Sequence, residues 1–259
     1  VDLTRREKNA KKYLFPKKCL CGAETKKELS KSKKKYDAVR RCTKGYECRF
    51  TAKEKLKHIV SKEAFNVDGL GKKVIEQFWD LNLIREPSDI FELNYNEIKK
   101  LEGWGDLSIK NLKNAIQKSQ LISLDKFIFS IGIRHIGQEN AKILAGFFTS
   151  IKDFSKLFDL NARKELLINL VDLDGIGDTQ IQSIDNFFLN KTNSKFIRNL
   201  INKLTIKNYS TQNTGGKFSN KKLMFTGGFQ KMSRSEAKAI AEKNGGKVLG
   251  SISKKLDLL

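Results

Sequence analysis

From about Leu56 to Leu204 apolar residues recur at intervals of three and four, the period of helices that bury one face. One stripe is Val74, Ile75, Phe78 and Trp79. Others are Leu112, Ala115, Ile116; Phe127, Ile128, Ile131; Leu144, Phe147, Phe148; Ile181, Ile184, Phe187, Phe188; and Phe196, Ile197, Leu200, Ile201. On both sides of this stretch the pattern changes. Towards the N-terminus, over residues 1–57, apolar positions are sparse. Behind it, Lys207 to Asn220 is polar and Gly-containing and reads as a flexible linker. Lys222–Phe229 reads as a short strand leading to Ser233, with Glu236 three residues on in capping-box spacing. The helix so opened runs through Asn244, stops at Gly245 and Gly246, and gives way to a second strand from Lys247. Strand, helix, strand is the start of a parallel α/β unit.

Charge sharpens this division. The 259 residues carry a formal +22, and residues 1–57 hold 20 of the 51 Lys and Arg but only 7 of the 29 Asp and Glu. Such an excess points first to a polyanionic partner, most often nucleic acid. Two Pro and 18 Gly favour helices joined by glycine turns over a β-sandwich. Apolar runs are only a few residues long, so neither a membrane span nor an export signal is expected. The basic segment at 1–57 cannot bury much surface and needs a staple to be ordered.

All four cysteines fall in that segment, as two close pairs: Cys19 with Cys21, and Cys42 with Cys48. Two pairs about twenty residues apart allow four thiolates to surround one tetrahedral Zn2+, which would supply the missing staple. Disulfides are the competing use, disfavoured without an export signal. A catalytic zinc is disfavoured as well, because four sulfurs leave no open position for water. A single residue between Cys19 and Cys21 makes a tighter chelate than the usual two. His58 lies in a helical pattern and reads as packing or capping, not as a fifth ligand.

The helical region repeats itself. Val67-Asp-Gly69-Leu-Gly71 is echoed by Leu101-Glu-Gly103-Trp-Gly105 and by Leu173-Asp-Gly175-Ile-Gly177, with a looser copy at Ile133-Arg134-His135-Ile136-Gly137. Copies 34, 32 and 40 residues apart signal repeated two-helix units. In each, the middle apolar residue would plug the core while the flanking glycines permit positive φ and leave backbone amides exposed at a helix start. Such amides make an anion site, the helix–hairpin–helix device that grips phosphates without reading bases. Taken singly, each Gly-x-Gly is equally well a simple joint between packed helices. A dinucleotide fingerprint fits poorly, since no strand precedes these glycines and the third glycine is missing. Lys72 and Lys73 follow the first hairpin, whereas Asp106 and Asp178 follow the second and fourth, so equal binding by all four is not expected. In the third, His135 replaces the first glycine, with Arg134 as a possible phosphate contact. The run Lys33–Lys35 is either solvated surface or a DNA contact.

A four-Cys module, four helix–hairpin–helix copies and an α/β end, in that order, resemble the C-terminal part of bacterial NAD-dependent DNA ligases. Arg41-Cys-Thr-Lys-Gly-Tyr-Glu-Cys48 is similar to the family's second zinc knuckle, Leu56–Phe65 followed by Asp68–Gly71 to the entry into its first hairpin, and Ser130–Gly137 to its third. Phe225–Gly228, Met232–Lys238, Gly245–Val248 and Ser251–Lys255 are similar to the opening of its BRCT domain. The resemblance implies a mainly α fold with an incomplete α/β end: the tail of an OB-fold at 1–14, a zinc finger at 15–57, four helix–hairpin–helix repeats at 58–205, a linker at 206–220 and a truncated BRCT domain at 221–259. Val1 in place of Met likewise suggests a fragment, and the short α/β piece is expected to be unstable in isolation. Thr226-Gly227, which holds a phosphoryl group in some BRCT domains, is expected to be structural here.

The family seals nicks by adenylating a lysine with NAD, passing AMP to the 5′-phosphate and attacking with the 3′-hydroxyl. That lysine sits in a Lys-x-Asp-Gly motif, which this sequence lacks. NAD and Mg2+ are therefore expected in a catalytic domain outside the chain, and the chain alone is expected to be inactive. What remains is a monomeric, cytoplasmic, nucleoid-associated clamp on nicked duplex DNA. The expected ligands of its structural Zn2+ are Cys19, Cys21, Cys42 and Cys48. Its expected DNA contacts are Gly69, Gly71, Lys72, Lys73, Gly103, Gly105, Arg134, His135, Gly137, Gly175 and Gly177. The rival is a stand-alone zinc and helix–hairpin–helix repair accessory protein; the two separate on whether the frame ahead of Val1 encodes Lys-x-Asp-Gly. A hydrolase has little support, with two His and no metal-carboxylate cluster.

Overall fold

The computed structural model describes residues 14–30, 35–210, 216–219, 221–228, 232–249 and 256–259. The expected tail at 1–14 therefore lies almost wholly outside the described residues, as do most of the run Lys33–Lys35, the middle of the expected linker, Phe229 and Ser251–Lys255. The chain divides into two compact units, Val1–Tyr209 and Ser210–Leu259.

The first unit opens with an antiparallel hairpin of β1 (Thr25–Ser30) and β2 (Lys35–Cys42), registered so that Thr25 faces Cys42. Among the described residues the α-helices that follow are α1 (Arg49–Ile59), α2 (Lys72–Asp80), α3 (Tyr95–Ile98), α4 (Asp106–Ser119), α5 (Leu124–Ser130), α6 (Gln138–Phe148), α7 (Ile151–Phe154), α8 (Leu160–Leu170), α9 (Asp178–Leu189) and α10 (Lys191–Ile201). The stripes read from the sequence face one continuous core. Ile75, Phe78, Leu112, Ile116, Phe127, Ile128, Ile131, Leu144, Phe148, Ile184, Ile197 and Leu200 are all buried within it. Edge-to-face aromatic pairs run through its centre, Phe127 on Phe154, Phe148 on Phe154 and Phe154 on Phe188, with centroids 5.3–6.0 Å apart. His58 packs edge-on to Phe129 at 4.9 Å, with Nε2 3.0 Å from the Phe129 carbonyl oxygen, and is a packing residue.

Two features of this unit have no stripe. Helix α8 is apolar on several sides and leaves Leu160 and Ile168 exposed, so a helical period does not mark it. What starts it is Asp159, whose carboxylate accepts from the amides of Asn161 and Ala162. It is tied to α9 by buried Arg163, whose Nε donates to Asp185 at 2.9 Å. The other is a parallel pair of three-residue strands, β3 (Leu121–Ser123) and β4 (Thr205–Lys207). Beyond it the Tyr209 amide donates to the Thr149 carbonyl at 2.7 Å. The unit thus reaches Tyr209, three residues into the stretch expected as linker, because these backbone bonds override its polar composition.

In the second unit β5 (Lys222–Leu223) and β6 (Lys247–Val248) pair in parallel across α11 (Arg234–Lys243). Ser233 and Glu236 form the capping box in both directions, at 3.2 and 2.7 Å, and Gly245 ends the helix at φ +84°. Leu223, Ala237 and Ala241 are buried beneath it. Strand β5 is shorter than the run Lys222–Phe229. The chain turns at Gly227 (φ +80°), whose carbonyl accepts from Arg234 at 2.9 Å. Among the described residues no helix is long and apolar enough to cross a membrane.

Candidate nucleic-acid interface and metal centre

The four cysteines converge. Their sulfurs all lie within 4.8 Å of one another, Cys19 to Cys48 at 3.8 Å and Cys21 to Cys42 at 3.6 Å. These separations are far too long for a disulfide. They match the edge of about 3.8 Å expected for a sulfur tetrahedron with metal bonds of about 2.3 Å. The group can hold a metal ion. The one-residue spacing of Cys19 and Cys21 is accommodated by a turn in which the Gly22 amide donates to the Cys19 carbonyl at 2.8 Å, with Gly22 at φ +83°. Burial pushes the Cys42 thiol up to about 12. Burial also opposes ionisation of Cys48, but hydrogen bonds from the Thr51 amide and hydroxyl outweigh it and bring that thiol down to about 6. Cys48 caps the N-terminus of α1, which further favours a thiolate.

A residue missed in the sequence ties this centre to the helices. Tyr46 sits between Cys42 and Cys48 and is buried, its ring edge-on to Phe196 of α10 at 5.2 Å. Lys55 of α1 lies over the same ring at 4.6 Å, and burial lowers its ammonium to about 8. Thr192 of α10 reaches Glu47 at 3.5 Å. An aromatic residue inside a metal loop is the signal that marks such a tether.

The four hairpins share one turn. The amides of Leu70, Trp104, Ile136 and Ile176 donate to the carbonyls of Val67, Leu101, Ile133 and Leu173 at 3.0–3.2 Å. The residue before each donor has positive φ: Gly69 +90°, Gly103 +83°, His135 +61° and Gly175 +96°. A positive φ at the third position alone is the pattern of a type II turn. His135 closes the turn at φ +61° as the glycines do, so the third copy keeps the shared turn without a glycine at that position. Leu70, Ile136 and Ile176 are buried plugs, while Trp104 is half-buried against Phe78, centroids 5.4 Å apart. The elbows themselves, Gly69, Gly71, Gly103, Gly105, His135, Gly137, Gly175 and Gly177, are all exposed.

Gly71, Gly105, Gly137 and Gly177 are the N-caps of α2, α4, α6 and α9. The first three have φ between −68° and −89°, which any residue adopts, and a Cβ on each would meet nothing within 4 Å. Neither backbone conformation nor internal packing requires glycine there. Helices α3, α7, α8 and α10 start with side-chain caps from Asn94, Ser150, Asp159 and Asn190, whereas α2, α4 and α6 have none. Their first amides stay open to an outside acceptor. In the fourth hairpin the Gly177 amide already donates to Gln180 Oε1 at 3.3 Å.

Surrounding charge separates the hairpins further. Lys72 and Lys73 open α2, where the helix dipole disfavours cations, and are exposed without an anionic partner among the described residues. Asp106 opens α4 and is paired with Lys99; Asp178 opens α9. Arg134 is half-buried and takes part in an interaction within the fold.

The sequence is similar to those of known families and proteins. The helix-hairpin-helix motif family matches residues 126–197, which hold the third and fourth hairpins, and the BRCA1 C Terminus (BRCT) domain family matches residues 213–259. A DNA ligase of Pelagibacter ubique is 51% identical over 100% of this chain and 38% of its own length. Those of Parvibaculum lavamentivorans and of the Wolbachia of Culex pipiens are each 39% identical, over 98% and 100% of this chain and 37% and 39% of their own lengths. The chain thus spans a little over a third of the relatives it matches.

Proposed function

From a chain that aligns end to end with just over a third of several DNA ligases, we propose that it is the DNA-clamping part of an NAD-dependent ligase. The hairpins hold the sugar-phosphate backbones of a nicked duplex while a nucleotidyltransferase domain elsewhere in the protein performs the sealing chemistry with NAD and Mg2+. The observation that carries this reading is the glycine at N-cap positions 71, 105 and 137, where neither a positive φ nor close packing requires one. A phosphodiester approaching the backbone does ask for it, because a side chain would hold the phosphate away from the amides. Lys72 and Lys73 make the first hairpin the strongest contact and the self-capped fourth the weakest. The metal is Zn2+, the ion suited to four thiolates, and its role is structural. The chain alone binds nicked duplex as a monomer and does not seal it.

The test is binding to a nicked duplex across a salt series. With about 6 phosphates neutralised, log K is expected to fall with log salt at a slope near −5, and the slope should be nearly the same for any sequence. Lys72→Ala with Lys73→Ala should lower affinity and make the slope shallower by about 2, one per lost contact. Lys164→Ala, an exposed position on α8, should change neither. Equal losses from both variants would remove the assignment of the first hairpin.

A further inference from the structure

Between the first and second elbows lies a cleft of about 420 Å³, with Gly69 and Gly103 on its rims. Trp104, backed by Phe78, and Leu112 give it apolar walls. Ser108 and Asn111, three residues apart on one face of α4, also line it. Both are exposed, and neither side chain has a hydrogen-bond partner among the described residues. This is unlike Ser119, Ser130 and Ser183, whose hydroxyls donate to backbone carbonyls of their own helices at 2.7–2.8 Å.

The cleft is chemically different from the elbows that flank it. No lysine or arginine lines it, and the acidic residue Asp68 does. A phosphate suits the open amides of the rims but not this interior. An uncharged group with an apolar face and hydrogen-bond acceptors suits it well. In a duplex whose phosphates lie on the rims, the group between them is a sugar with the adjoining base edge. In the minor groove that edge offers adenine N3 and thymine O2 as acceptors. We propose that this cleft receives a deoxyribose and the minor-groove edge of its base, with Trp104 against the sugar and Asn111 Nδ2 and Ser108 Oγ donating to the base-edge acceptor. The inference rests on duplex binding by the elbows and adds a contact that is not electrostatic.

Asn111→Leu with Ser108→Ala tests it, since both replacements favour helix and both positions are exposed, so circular dichroism should be unchanged. The double variant is expected to bind nicked duplex about 10-fold more weakly with the salt slope of the wild type, the loss of one or two good base-edge hydrogen bonds. Replacing guanine by inosine removes the amino group that obstructs the minor-groove edge. This should tighten binding by the wild type and leave the variant unaffected. Undiminished affinity, a shallower slope, or a wild type indifferent to inosine would each overturn the proposal and leave the phosphate clamp standing. A wild type that does not bind duplex at all would overturn both.

Discussion

Stripping the metal with a chelator, or replacing Cys42 by Ser, is expected to unfold β1, β2 and the cysteine turns while the cores of α2 to α6 stay folded. The reason is the poverty of the module's own interior. Among its side chains that the structure describes from 14 to 48, only Thr25, Tyr46 and Cys48 are buried. Structural zinc supplies about 10–16 kcal/mol in comparable small modules, far more than that interior provides. The loss should also travel along a defined route. Tyr46 is set in place by the turn between Cys42 and Cys48 and packs on Phe196, so α10 should lose hydrogen-exchange protection before α4 does. Acidification should act in the same direction. Thiols must ionise to bind metal, so protons compete with the ion for all four sulfurs and metal affinity falls as pH is lowered. Full protection of β1 and β2 after verified metal loss would contradict this account.

Valine at both Gly71 and Gly105 is expected to weaken nicked-duplex binding by about 100-fold while costing little stability. Each amide site that is blocked loses charge-assisted hydrogen bonds of about 1.5–3 kcal/mol, and two such sites give that factor or more. The stability side follows from the same residues. Both have extended backbone angles, and a Cβ at either meets nothing, so the cost is limited to a poor N-cap, about 1 kcal/mol each. Gly69 and Gly175 behave in the opposite way. Valine at Gly69 must adopt φ +90°, and at Gly175 it must adopt φ +96° with its Cβ 2.8 Å from Ile143 Cδ1. Those variants should lose several kcal/mol of stability as well as binding. Thermal melting beside a binding titration separates the two classes.

Local rules made much of this molecule legible. The 3.6-residue stripes mark helices such as α2, α6 and α9 because one face alone is buried. The capping box at Ser233 marks α11, and the cysteine pairs mark the metal group. Helix α8 escapes because its apolar residues encircle it, so periodicity carries no signal there. The strands β3 and β4 escape because their pairing joins Leu121 to Thr205, a contact across more than eighty residues that no local pattern encodes. Of the site, the glycine elbows are visible in the sequence. Which amides stay open is not, because that depends on whether a cap such as Gln180 swings back onto them. Ser108 and Asn111 look like ordinary surface residues until the fold sets them beside Gly69.

Amide proton shifts of 15N-labelled protein during titration with a nicked duplex test the central claim most directly, because they report on the N–H groups themselves. The amides at and just after Gly71, Gly105 and Gly137 are expected to move downfield as they gain phosphate acceptors, with those near Gly177 moving least. Elbow amides that stay still while other parts of the protein shift would contradict it.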